Sequence, residues 1–170
     1  MKEEEFQIKI LSLKDKIFRL AKSMLGNIPE AEDLTQDVFE RLWSGRNALG
    51  RHDNLDGYIM TSVKNRCIDR IRSNKLRSTG ELNENTAYET TTLKEIDRTN
   101  IKLLLEKLMA ELPEKQRAIL HLRDIEGYEF EEIAEIMEID EPTVRVYLSR
   151  ARKTLKDKII NKKINSSVLG

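Results

Sequence analysis

The chain has 170 residues and carries 30 Lys and Arg against 30 Asp and Glu, so its formal charge is zero although 35% of its residues are charged. That length suits one domain or two small ones, and 39% apolar with only 5% aromatic residues favours long solvated helices over one thickly packed interior. With no apolar run near the roughly 18 to 20 residues of a membrane span, an acidic MKEEEF start, a single cysteine and no Glu-x-x-His spacing, the sequence argues against a membrane span, a secretory signal, a disulfide and a metal site. A cytoplasmic protein without cofactor is expected.

Phe6, Ile10, Leu13, Ile17, Leu20 and Met24 recur every three or four residues and predict one helix ending near Gly26. Pro29 with Glu30, Glu32 and Asp33 opens a second, because proline loses nothing in a first helical turn and carboxylates favour the positive end of the dipole. It runs through Leu34, Val38, Leu42 and Trp43 to a loop marked by Gly45, Asn47, Gly50, Asp53 and Asn54. A third helix starts around Leu55 to Gly57 and carries Ile59, Val63, Cys67 and Ile71 to about Leu76. Between residues 78 and 95 no helical or strand period survives, which predicts a polar linker reaching at most about 60 Å when extended. Beyond it, Ile101, Leu104, Leu105, Leu108 and Leu112 form a helix stopped by Pro113. Pro113 also opens the next, with Ala118, Ile119 and Leu122 on one face and Gly127 as its stop. A short helix from Phe130 to Met137 and a longer one from Pro142 to about Ile160 follow, and residues 161–170 read as a frayed basic tail. The fold class is all-α: two small helical domains, residues 1–77 and 96–170, joined by the linker 78–95.

The zero net charge hides an uneven distribution, and distribution rather than sum steers binding. Residues 112–140 hold three basic and nine acidic side chains, whereas 141–170 hold eight and two. A second basic patch, Lys64, Arg66, Arg70, Arg72, Lys75 and Arg77, lies on the third helix with only Asp69 against it. The acidic block is expected to face away from DNA and to weaken nonspecific binding by the isolated chain.

Residues 129–156 show a helix, a short break and a second helix, the helix-turn-helix pattern. Asp140 can cap the second helix, and Pro142 fits its first turn. At about 100° per residue, Val144, Leu148, Ala151 and Leu155 share an arc of roughly 60° and face the core. Val146, Arg150 and Lys153 lie opposite, flanked by Arg145, Ser149, Arg152 and Lys156. Such a face suits the major groove: arginine bridges guanine O6 and N7, serine bonds base or phosphate, valine meets a thymine methyl, and lysine neutralises phosphate. On the third helix Arg66, Arg70 and Arg77 project within about 40° of one another, a stripe that can track a phosphate backbone or simply be solvated. Trp43, His52 and Tyr58 lie in or near the loop before it, where a ring could stack on an unpaired base, although Trp43 also reads as core. Cys67, between Val63 and Ile71, reads as a small buried residue.

Four stretches, AEDLTQDVFERLW (31–43), GYIMTSVKNRCIDRIR (57–72), ELPEKQRAILHLRDIEGYEFEEIAEIM (111–137) and PTVRVYLSRARKTLK (142–156), stand in that order around the polar linker. Together they resemble the extracytoplasmic-function (ECF) sigma factors of bacterial RNA polymerase, within the sigma-70 family. The resemblance implies region two in residues 1–77, for the −10 element, strand opening and core polymerase, and region four in 96–170, for the −35 element. It implies that Asp33, Gln36, Asp37, Glu40 and Arg41 dock on the clamp helices of β′. His52, Lys64, Asn65, Arg66 and Arg70 would engage the opened −10 strand, and Thr143, Arg145, Val146, Ser149, Arg150 and Lys153 would read the −35 element. The partners implied are core polymerase, through the β′ clamp and the β flap, promoter DNA and an anti-sigma factor, for a chain that is monomeric when free. The turn Ile139-Asp140-Glu141-Pro142 departs from the Ser cap and Gly common in the family, and Val146 stands where a polar residue is frequent.

Two other readings compete. One is a stand-alone helix-turn-helix regulator with an N-terminal helical interaction domain, binding duplex DNA by itself as a dimer. The other is a nuclease with a metal on Glu126, Glu129, Glu131, Glu132 and Glu135, against which stands the usual solvation of helix-surface carboxylates.

Overall fold

The apolar spacing of the first 25 residues produces two helices where one is expected. In the computed structural model, which describes residues 1–78 and 98–168, α1 (Glu3–Leu11) and α2 (Lys14–Leu25) are separated at Ser12 and Leu13. The Ser12 hydroxyl donates to the Lys9 carbonyl at 2.8 Å and competes with the helical ladder. Ile10, Leu13 and Ile17 keep helical spacing through the break, so periodicity does not reveal it. α2 stops at Gly26, whose φ of +68° lies in the left-handed region that a side chain would strain. Asn27 then starts α3 (Ile28–Ser44) by accepting the Glu30 N–H on Oδ1 at 3.0 Å, with Pro29 in the first turn. The expected loop contains one short turn, α4 (Arg46–Leu49), anchored by buried Leu49. Asn54 accepts the Gly57 N–H at 3.1 Å and starts α5 (Leu55–Ser78). Ile17, Leu20 and Met24 from α2, Leu34 and Val38 from α3, and Ile59, Val63 and Cys67 from α5 make the core of this half.

The expected linker lies outside the described residues, apart from Ser78 at the end of α5. The second half begins with α6 (Arg98–Ala110). After Pro113, α7 (Glu114–Leu120) runs into a π-helical turn, His121–Ile125, closed by the Glu126 N–H on the His121 carbonyl at 3.0 Å. Gly127, at φ +78°, ends it as expected. α8 (Phe130–Met137) begins in a capping box formed by Glu129 and Glu132. α9 (Glu141–Val168) is longer than expected: residues 161–168 continue the helix where a frayed tail is predicted. Among the described residues all regular structure is helical.

The two halves pack on each other. α2 and α5 lie against α6, α7, the π-helical turn and α8, and the buried apolar residues of both halves join in one continuous cluster.

Candidate nucleic-acid interface

α9 is built as its spacing predicts. Asp140 Oδ1 accepts the Thr143 N–H at 3.0 Å, and hydrogen bonding with the Thr143 side chain, then with its backbone, holds the Asp140 carboxyl below its usual range. Val144, Leu148 and Ala151 are buried against the rest of the second half. On the other side Arg145, Val146, Ser149, Arg150 and Lys153 are exposed, with Thr143 half-buried at the helix start. Arg145 is held by Glu141 Oε1 at 2.8 Å and lies over the Phe130 ring, while Arg152 is held by Asp124. The arrangement presents guanidinium, hydroxyl, ammonium and one small apolar group on a single ridge, which is what a major groove accepts.

α5 differs from its sequence expectation. Lys64 is 3% exposed, and its Nζ lies 3.7 Å from Glu138 Oε2 of the second half. Burial lowers the ammonium's pKa and the Glu138 charge opposes that shift. Arg70 does not face solvent as part of a stripe: its Nη2 donates to Asp33 and Asp37 at 2.8 Å each, and Nη1 donates to the Glu30 carbonyl at 3.3 Å. One residue assigned to DNA and two assigned to polymerase thus tie α5 to α3. Asn65 is exposed and Arg66 half-buried. His52 stacks on Tyr58 with ring centres 3.9 Å apart, both rings open to solvent. Trp43 meets Phe6 edge-on, carries Arg46 over its face and remains 38% exposed, so it is half core and half surface. On α3, Gln36 lines a groove with Leu11, Phe18 and Phe39, while Glu40 and Arg41 are exposed.

Sequence reasoning misses the contact between the halves. Among the described residues, the ion pairs that cross it are Arg19–Glu126, Lys22–Glu106, Lys64–Glu138, Arg72–Glu114 and Lys75–Glu114. In each, the cation belongs to the first half and the anion to the second. Two members of the acidic block, Glu114 and Glu138, sit on the basic patch of α5. Further hydrogen bonds reinforce the contact. The Tyr128 hydroxyl donates to Asp56, which also pairs with Lys16 at 3.0 Å. The buried Arg117 guanidinium donates to the carbonyls of Met24, in the last turn of α2, and Leu112. Ser23 Oγ is 2.5 Å from His121 Nδ1. The remaining acidic residues do not converge. Glu126 turns inward to Arg19, and Glu129, Glu131, Glu132 and Glu135 stay on the outer surface of α8.

A pair of helical domains, one with an exposed recognition helix and one with aromatic and basic groups beside a loop, defines a two-part DNA-binding protein. The family model described as "Sigma-70 region 2" matches residues 10–77, and "Sigma-70, region 4" matches residues 102–155. The ECF RNA polymerase sigma factor SigW of Bacillus subtilis is 26% identical over 160 residues, covering 86% of this chain and 84% of the relative. SigL of Mycobacterium tuberculosis, also an ECF RNA polymerase sigma factor, is 26% identical over 142 residues, covering 82% and 80%. The sigma factor RpoE from Bartonella quintana, solved in complex with the anti-sigma factor NepR, shares the fold at a TM-score of 0.73 and 22% identity, over 91% of this chain and 96% of that one. The chain belongs to the sigma-70 family, in its ECF class. It is a sigma factor, which directs RNA polymerase to promoters, and the stand-alone regulator is not favoured.

Proposed function

We propose that residues 96–170 read the −35 element through Thr143, Arg145, Val146, Ser149, Arg150 and Lys153, and that residues 1–77 capture the opened −10 strand through His52, Asn65, Arg66 and, once uncovered, Lys64. Residues 78–95 link them. The observation that carries this is the exposed cationic ridge of α9 directly opposite buried Val144, Leu148 and Ala151. Gln36, Glu40 and Arg41, with Asp33 and Asp37 shared between α5 and the partner, present one face of α3 to the β′ clamp of core polymerase. The second half meets the β flap. The chain works in the cytoplasm by binding and makes or breaks no covalent bond itself; unstacking a base costs a few kcal/mol, offset by contacts to the extruded nucleotide.

Closure of the halves fits this role. With Lys64 buried beside Glu138, the free chain presents its −35 ridge but only part of its −10 surface, so binding to polymerase must part the halves for both to act. An anti-sigma factor would favour the closed arrangement. Reconstituted with core polymerase, the chain should initiate transcription on cognate genomic fragments and protect two separated elements upstream of the start. The absence of both a core complex on a sizing column and transcripts from a panel of such fragments would overturn the reading.

A further inference from the structure

One side chain on the exposed ridge of α9 is already held in place in the chain alone. Arg145 reaches solvent, yet its guanidinium carbon lies 4.3 Å from the centre of the Phe130 ring and its Nη2 donates to Glu141 Oε1 at 2.8 Å. Phe130 is itself braced. It is half-buried, and Arg123 lies 4.5 Å from the same ring centre while donating through Nη1 to the Tyr128 carbonyl at 2.8 Å. Phe130 is the first residue of α8 and Glu141 the first of α9, so the two helix starts converge on one guanidinium.

A guanidinium has five N–H donors in a planar fork. Lying over the ring restricts how that fork can turn, and Glu141 takes a donor at Nη2, which leaves others for a bidentate acceptor such as guanine O6 and N7. A long side chain that must be ordered on binding loses rotamer freedom at that moment, and one ordered beforehand loses less. The gain is specific to the aligned acceptor, because a fork held by the ring and by Glu141 must give up these contacts to swing to a neighbouring base or phosphate.

The geometry points to Phe130 and Glu141 as positioning residues that set the base preference of Arg145, with a guanine in the major groove as the class of target. This rests on the reading of α9 as the −35 helix. Neither residue is required to touch DNA; each acts through the guanidinium.

The test is promoter selection by the full chain with core polymerase on templates in which each base pair of the −35 element is varied singly. Arg145→Ala should flatten the preference at one or two adjacent positions. Phe130→Leu and Glu141→Gln should each reduce the preference at those same positions by roughly 3- to 10-fold, with the ratios at other positions unchanged, and Phe130→Tyr, which keeps the ring, should restore it. If Phe130→Leu and Glu141→Gln keep the wild-type profile while Arg145→Ala alters it, the positioning inference alone is overturned. Equal weakening at every position by both variants also overturns it, since a general loss of packing would act that way. An Arg145→Ala profile identical to wild type overturns the reading of α9 on which the inference stands.

Discussion

His121 shows what a buried titratable side chain does at a contact between domains. It is 1% exposed, its Nδ1 faces Ser23 of the other half, and among the described residues its Nε2 has no hydrogen-bond partner. Burial lowers its pKa from 6.5 to about 4, partly opposed by Glu126, which stands 3.7 Å away. The neutral ring is thus the form that fits. The stability tied to that form is complete above the unfolded value of 6.5 and is lost as pH falls toward 4, by up to about 3 kcal/mol. The melting temperature of the wild-type chain should therefore fall between pH 7 and pH 4 more steeply than that of His121→Gln, in which this group cannot protonate. Parallel curves for the two would show that His121 is not buried in solution as it is here.

At the scale of elements, the turn between α8 and α9 carries a residue that its own backbone disfavours. Glu138 has φ +57°, in the left-handed region where glycine is usual, at a cost of about 1 kcal/mol for a side chain. The structure gives the compensation, since its carboxylate is the partner of buried Lys64. Glu138→Gly should lower the melting temperature of the wild-type chain by leaving the ammonium unpaired. In a Lys64→Met background the same substitution should raise it, because only the backbone relief remains. Thermal melts of the four variants check this reversal of sign. Most helices, the Asp140 cap and the outward ridge of α9 are legible in the sequence because each depends on residues within a few positions: Asp140 with Thr143, Pro29 with Glu30, Val144 with Leu148. The break at Ser12 leaves the apolar spacing unchanged, and the extension of α9 begins in the polar run Asn161-Lys162-Lys163, so neither is legible. Nor is the burial of Lys64, which adjoins the apolar arc of α5 but whose ion-pair partner lies 74 positions later. Arg19 with Glu126 and Ser23 with His121 escape for the same reason: their side chains are of types that usually stay in water.

For the whole molecule, the balance of 30 cations against 30 anions is partly a physical pairing. Glu114 and Glu138 occupy Arg72, Lys75 and Lys64, groups of the kind that would otherwise meet phosphates. With each partly exposed pair worth about 0.2–1 kcal/mol, the double variant Glu114→Gln, Glu138→Gln should bind a single-stranded −10 oligonucleotide roughly 3- to 10-fold more tightly than the wild-type chain. Fluorescence anisotropy at one fixed low salt concentration measures this, and unchanged affinity would show that the carboxylates do not compete with DNA. The uniform polarity of the crossing pairs also reaches beyond one molecule. When the halves part, an acidic surface and a basic one appear together on the same chain, each complementary to its counterpart on any other opened copy. Reclosure within a chain then competes with exchange between chains, the tether keeping the local concentration of its own partner high. Crowded conditions shift that contest toward reciprocal pairs in which each copy closes on the other's half.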